Sequence, residues 1–149
     1  MTTKEITYPL LEQAIRIAYR EDRKIVDFYD SNVVVNSVGD IVTDIVRKIK
    51  GFEAPVLRGV YEKNCLIGYF VYQGKMLISF SISVRYRVRK YLREFFGLIN
   101  KELKKDFVCF LWRRNKRAIR WLEKNGLEAF DYTIDIVKLV SPVKESVNN

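Results

Sequence analysis

The sequence predicts a mixed α/β domain in which helices come first, then three antiparallel strands, then helix, strand, helix and strand. Three observations predict it. Val56–Val84 holds three strand-like runs separated by the short polar turns Glu62-Lys-Asn64 and Gln73-Gly74. From Val88 the period changes: Val88, Tyr91, Leu92, Phe95, Phe96, Ile99 and Leu103 recur at spacings of three and four, one apolar stripe of a long helix. The chain then returns to a strand, Phe107–Trp112, followed by a helix and a last strand. A helix joining neighbouring strands after a meander makes the sheet mixed in direction.

Each element has a local reason. Pro9 suits the first turn of a helix, where its missing N–H is not needed, and Leu10, Ala14, Ile17 and Ala18 follow at helical spacing. Ile25, Val26 and Phe28 extend this helix or begin a short second one, and Asp30–Asn32 is a break. Asp40 is a plausible N-cap for a helix with Ile41, Ile45, Val46 and Ile49 on one face, ended by Gly51. The strands are expected over Val56–Tyr61, Cys65–Tyr72 and Lys75–Val84. Asn115 caps a helix that runs to about Asn125, and Gly126 suits the position just past its end. Glu128–Val140 reads as one long terminal strand, with Phe130, Tyr132, Ile134, Ile136 and Lys138 on one side.

The 149 residues fit one domain, expected over 1–140, with 141–149 a loose tail. Hydrophobic residues make up 48%, enough for a core. No apolar run approaches the ~18 residues of a membrane span, and no apolar signal segment follows Met1-Thr-Thr-Lys-Glu. No membrane partner and no secretion are therefore expected. Cys65 and Cys109 read as two buried, reduced thiols. The chain has no histidine and no Cys/His cluster, so no metal site is expected.

The net charge of +9 is concentrated. Between Arg85 and Arg120 there are thirteen Lys/Arg against three Asp/Glu, a sum of +10; the remaining fourteen cations and fifteen anions sum to −1. This local excess suits phosphates of a nucleotide cofactor or nucleic acid, or an acidic protein surface. The turn Arg85-Tyr-Arg-Val-Arg-Lys90 delivers cations to the start of a helix, where free N–H groups and the helix dipole also favour anions.

Order and residues together resemble the GNAT superfamily of N-acetyltransferases over roughly Asp40–Val140. Asn115, Ala118, Gly126, Leu127 and Glu128 fall in register on the family pattern N-x-x-A-x-x-x-Y-x-x-x-G-F/L-E, and Arg87 matches the arginine of the family's R/Q-x-x-G-x-G/A turn. The resemblance implies the GNAT acyl-CoA N-acyltransferase fold. Lys90 and Leu92 replace the two glycines whose bare backbone admits a pyrophosphate, and Leu122 replaces the tyrosine that usually protonates the coenzyme thiolate. No general base is evident, since Glu53 and Glu62 read as solvated charges; Tyr69, Tyr72, Tyr86 and Tyr91 are the tyrosines that could act as acid, and they read rather as core or groove walls. The run Arg114-Asn115-Lys-Arg-Ala-Ile119-Arg120-Trp121-Leu122, with Gly126-Leu127, is similar to GNAT-like proteins of tailed phages, including internal virion proteins.

The favoured reading is a catalytically degenerate phage-type protein that acts by binding in the virion or its assembly. It needs no cofactor, lodges in the host cytoplasm or the virion, and has other virion proteins as partners. The alternative is an active acetyl-CoA-dependent N-acetyltransferase. Backbone groups of the strand Ser81–Val84, Ser83 and Val84 above all, would then hold the pantetheine arm, Arg85, Arg87, Arg89 and Lys90 would hold phosphates, and Asn115 would touch the coenzyme. A third reading is a nucleic-acid binder using the basic face of residues 85–120.

Overall fold

A computed structural model of the chain describes residues 1–29 and 33–142. The expected break at Asp30–Asn32 and all but the first two residues of the expected tail lie outside the described residues. The observed order is β1 (Thr2–Glu5), α1 (Tyr8–Tyr19), α2 (Ile25–Phe28), α3 (Val38–Lys50), β2 (Val56–Glu62), β3 (Cys65–Gln73), β4 (Met76–Ile82), α4 (Arg89–Glu102), β5 (Val108–Trp112), α5 (Lys116–Lys124), β6 (Glu128–Asp131) and β7 (Ile136–Val140). The seven strands form one sheet in the order β1-β2-β3-β4-β5-β7-β6. Every neighbouring pair is antiparallel except β4 with β5.

Side-chain alternation divides the sheet into two cores. On one face Val60, Phe70, Leu77, Ile82 and Leu139 pack against Phe95, Phe96 and Ile99 of α4 and Leu122 of α5. On the other, Leu57, Tyr69 and Val71 pack against Leu11 and Ile15 of α1 and Ile41, Ile45 and Ile49 of α3. The architecture is a three-layer α/β/α sandwich, as the order of elements requires.

The expected caps divide. Asn115 accepts from the Ala118 N–H at 3.4 Å, and Gly126 takes φ +95° past the end of α5. For α3 the N-cap is Ser37, and Asp40 sits three residues on as the returning half of a capping box. The buried stripe of α1 is Leu11, Ala14, Ile15 and Ala18; it keeps the alanines but has Leu11 and Ile15 in place of Leu10 and Ile17. The first hairpin turns at Lys63 and Asn64, both with positive φ, as a tight two-residue hairpin demands.

Three further features depart from the sequence reading. β1 was not foreseen, because Thr2-Thr-Lys-Glu5 is a mostly exposed edge strand without apolar alternation. The terminal strand is a hairpin: β6 and β7 pair antiparallel, with Phe130 opposite Lys138. Its turn is closed by Thr133, whose hydroxyl accepts from the Ile136 N–H at 3.0 Å. Phe130, Tyr132 and Ile134 are consequently exposed. Finally, Cys109 is buried but Cys65, at the start of β3, is exposed. Burial pushes the Cys109 thiol up to about 12, which leaves it inert. Among the described residues no helix is long and apolar enough to cross a membrane, and no group of three or more His, Cys, Asp or Glu is gathered as for a metal.

Candidate functional site: a cleft where two parallel strands part

The parallel pair β4–β5 holds together only at its start, through Met76 with Val108 and Leu77 with Cys109. The cause lies in β4. Its register against β3 steps from Val71–Ser79 to Tyr72–Leu77, so Ile78 is an extra, unpaired residue. Such a bulge bends a strand and strengthens its twist. Beyond Ile78, β4 therefore follows β3 while β5 follows β7, and the two part.

The gap is a cleft of about 700 Å³ that passes between the two helix layers, a volume usual for ligand sites. Ser79, Phe80, Ser81 and Ile82 form one wall and Phe110, Leu111 and Trp112 the other. α4 and α5 close one end with Leu92, Phe95, Ala118 and Trp121; the α1–α2 corner and α3 close the other with Tyr19, Phe28, Tyr29 and Ile49.

The departure of β5 leaves main-chain groups of β4 facing the cleft. Ser83 N–H donates to Ile67 O of β3 at 2.7 Å. By alternation the groups of Ser81 also face β3, and those of Phe80 and Ile82 face the open side. The Ile82 carbonyl confirms this direction, because it accepts from Arg87 Nε at 2.8 Å.

Arg87 is thereby engaged in the protein's interior. Its guanidinium also donates to Ala18 O at 2.8 Å, Ser81 Oγ at 3.2 Å and Asp22 at 2.7 Å. Asp22 is buried and shared, since Arg117 of α5 meets both of its oxygens at 3.1 and 2.7 Å. Burial on its own would raise the Asp22 carboxyl; the hydrogen bonds and charges of Arg117 and Arg87 outweigh it and hold the group below its ordinary range. This Arg87–Asp22–Arg117 triad ties the turn after β4, the α1–α2 corner and α5 together. Arg114 adds to it by donating to the carbonyls of Val26 and Asp27.

The other residues singled out in the sequence fall as follows. Val84 lies in a 3₁₀ turn, Val84–Tyr86, and is exposed. Arg85 pairs with Glu21 on the surface at 3.3 Å. Arg89 and Lys90 are exposed in the first turn of α4, and neither lines the cleft. Leu92 does line it, and its N–H is taken by Val88 O at 2.9 Å. Asn115 lines the cleft while capping α5. Leu122 is wholly buried in the core, whereas its neighbour Trp121 lies in the cleft wall, stacked on Phe95 with ring centres 5.5 Å apart.

Of the tyrosines weighed as acids, none lines the cleft. Tyr69 is buried beneath it, hydrogen-bonded to Ser79 Oγ at 2.9 Å; burial first, then the neighbouring Tyr19, push it well above its ordinary value. Tyr72 is pushed up to about 12 by burial and by the adjacent Glu102 carboxylate. Tyr86 and Tyr91 meet edge to face. The sequence reading missed Tyr19, Tyr29, Asp22, Arg117 and Trp112. Only the long-range fold brings these together, and no local pattern marks them.

The basic segment also divides. Of its thirteen cations, Arg85, Arg87, Arg113, Arg114 and Arg117 bond to protein carboxylates or carbonyls. The other eight, Arg89, Lys90, Arg93, Lys101, Lys104, Lys105, Lys116 and Arg120, are exposed.

No protein-family model and no curated protein matches the sequence. Solved structures match nearly the whole chain. PaiA N-acetyltransferase from Thermoplasma acidophilum, solved with coenzyme A, is 18% identical with a TM-score of 0.60, over 94% of this chain and 97% of that one. An acetyltransferase from Thermus thermophilus is 14% identical with a TM-score of 0.69, over 96% and 98%. YncA from Salmonella typhimurium, solved with its cofactor acetyl-CoA, is 11% identical with a TM-score of 0.58, over 98% and 95%. The chain has the fold of the GNAT acyl-CoA N-acyltransferases, as the motif resemblance implies.

Proposed function

We propose that this protein binds an acyl-coenzyme A thioester in the cleft between β4 and β5, and transfers the acyl group to an amine by positioning rather than by a side-chain acid or base. One observation carries the reading: the bulge at Ile78 opens a ligand-sized cleft and leaves along one wall a strand edge, at Phe80 and Ile82, with no partner strand, where Arg87 takes the Ile82 carbonyl alone. An extended arm bearing amides is what such an edge pairs with. The start of α4 supports the same reading. Val88 provides no side-chain cap, and the first turn carries Arg89 and Lys90 with no acidic residue. Cations at a helix N-terminus oppose its dipole, so this end gains most from an added anion such as a pyrophosphate. The solved neighbours with coenzyme A or acetyl-CoA share the fold.

The chemistry assigned here is modest. Leu122 supplies no proton, and Arg87, withdrawn into its triad, leaves Arg89 and Lys90 to meet phosphates. Holding the thioester beside a neutral amine is itself a large source of rate. Calorimetry with acetyl-CoA tests the reading: we expect binding below millimolar concentration. Exchanging Arg89 and Lys90 together for glutamate should weaken it by roughly a hundredfold or more, because each charged hydrogen bond is worth about 1.5–3 kcal/mol. No detectable heat at millimolar ligand would remove the proposal.

A second reading draws on the eight exposed cations: docking on nucleic acid or on an acidic surface, in the virion setting that the motif around Trp121 implies. Neutralised phosphates release counterions. Retention of the protein on DNA should therefore drop about tenfold or more between 50 and 200 mM salt. Retention that ignores salt, or none at the lower concentration, would dismiss it.

A further inference from the structure

The charge at the cleft has one sign. Arg87 and Arg117 both line it, while the carboxylate that binds them, Asp22, is set behind them with its side chain 3% exposed. Two guanidiniums on one carboxylate leave the triad with one net positive charge. Among the described residues, no Asp or Glu lines the cleft. Of the two β4 carbonyls that face the open side, those of Phe80 and Ile82, the latter is already bonded to Arg87. The Phe28 ring, whose face would attract a cation, is covered by the Arg117 guanidinium at 4.4 Å from its centre. The rest of the wall is mostly aromatic or aliphatic, with Phe80, Phe110, Trp112 and Trp121 prominent; its polar members are Lys48, itself paired with Asp44, and Ser79, Ser81 and Asn115.

We propose that the acceptor of this cleft is an apolar amine that is uncharged at neutral pH, of the arylamine class, rather than a polyamine or a lysine side chain. The inference rests on the reading of the cleft as an acyl-transfer site, and names its second substrate. An ammonium entering here would lose its water among apolar walls and face the positive charge of the triad, and both disfavour it. An arylamine meets neither obstacle, and its ring stacks on those of the walls. It also removes the need for a base. Its nitrogen already carries a free electron pair, which attacks the thioester carbonyl carbon. The C–N bond forms, the C–S bond breaks, and the departing thiolate takes up the proton that nitrogen loses, giving amide and free thiol.

Two isomers separate the possibilities: p-toluidine is neutral at pH 7 and benzylamine is protonated, yet their atoms are the same in number and kind. Binding of each to the full chain is followed through the indole N–H resonances of Trp112 and Trp121, the chain's two tryptophans, both in the cleft wall. Calorimetry with acetyl-CoA runs in parallel. We expect p-toluidine to bind about tenfold or more tightly than benzylamine, the effect of a single nearby charge. Arg117→Gln, which leaves Asp22 one arginine, should narrow the ratio by improving benzylamine. Should that variant fail to fold, the comparison on the native chain decides alone. Equal binding, tighter binding of benzylamine or spermidine, or no indole response to either isomer overturns the inference. A chain that binds acetyl-CoA without preferring p-toluidine refutes this inference only; one that prefers p-toluidine but ignores acetyl-CoA refutes the coenzyme reading only.

Discussion

Replacing Asp22 by alanine should lower the stability of the fold by about 3–5 kcal/mol, the loss typical when a buried charge partner is removed. The side chain is 3% exposed, and its removal leaves Arg87 and Arg117 facing each other with no carboxylate between them. Because these arginines tie the α1–α2 corner to the turn after β4 and to α5, the cleft that they line should loosen as well. The pH dependence has a fixed sign. Asp22 is held below its ordinary value in the folded chain, so it contributes stability above the unfolded carboxylate value of about 3.9, and that contribution disappears as pH falls through the folded value. Urea denaturation at pH 7 and near pH 3 measures both effects. The native chain should lose stability in acid, and Asp22→Asn should lose less over the same interval. A change below 1 kcal/mol for alanine at pH 7 would show that the triad does not hold these elements.

Gly68→Ala should cost about 3 kcal/mol, at the upper end of overpacking penalties. A β-carbon there would collide with Ser81 O and lie 2.7 Å from Ile82 Cα. These are main-chain atoms of β4, so no side chain can swing away, and β4 itself has to move. Gly68 sits opposite Ile82 in the register, beside the strand edge assigned to the pantetheine arm. The variant should therefore lose coenzyme affinity together with stability. Gly97→Ala serves as the control. Nothing lies within 4 Å of its added carbon, and alanine is favoured inside a helix by roughly 0.5–1 kcal/mol. A Gly68→Ala chain as stable as the native one would mean that β3 and β4 are less closely apposed than described.

Much of the fold was legible because it is written locally. The stripe of α4, the Asn115 cap and the Gly126 turn each depend on residues within a few positions; the cap and turn are observed, and the stripe is buried from Phe95 to Leu103, while Val88, expected at its start, caps the helix and is exposed. The same holds for the meander and for the buried face of α3. β1 was illegible because a polar edge strand buries too little to leave a pattern. The β6–β7 hairpin read as one strand because Glu128–Val140 has no glycine or proline to mark its turn, which Thr133 makes instead. At the site, the turn cations looked alike. Arg85, Arg87, Arg89 and Lys90 lie within six positions, yet Arg87 turns inward and Arg89 and Lys90 outward. What separates them is Asp22, sixty-five positions away, a pairing that only the folded chain discloses. The splay was equally hidden, since a single unpaired residue at Ile78 has no signature of its own.

Amide hydrogen exchange at Phe80 and Ile82, followed by NMR with and without saturating coenzyme A, reports whether the open edge of β4 receives a coenzyme arm. These two amides should exchange about tenfold or more slowly when the coenzyme is present, each gaining or sheltering a hydrogen bond, while Ser81 and Ser83, bonded to β3, change little. Unchanged exchange at Phe80 and Ile82 in the presence of millimolar coenzyme would contradict that placement of the arm.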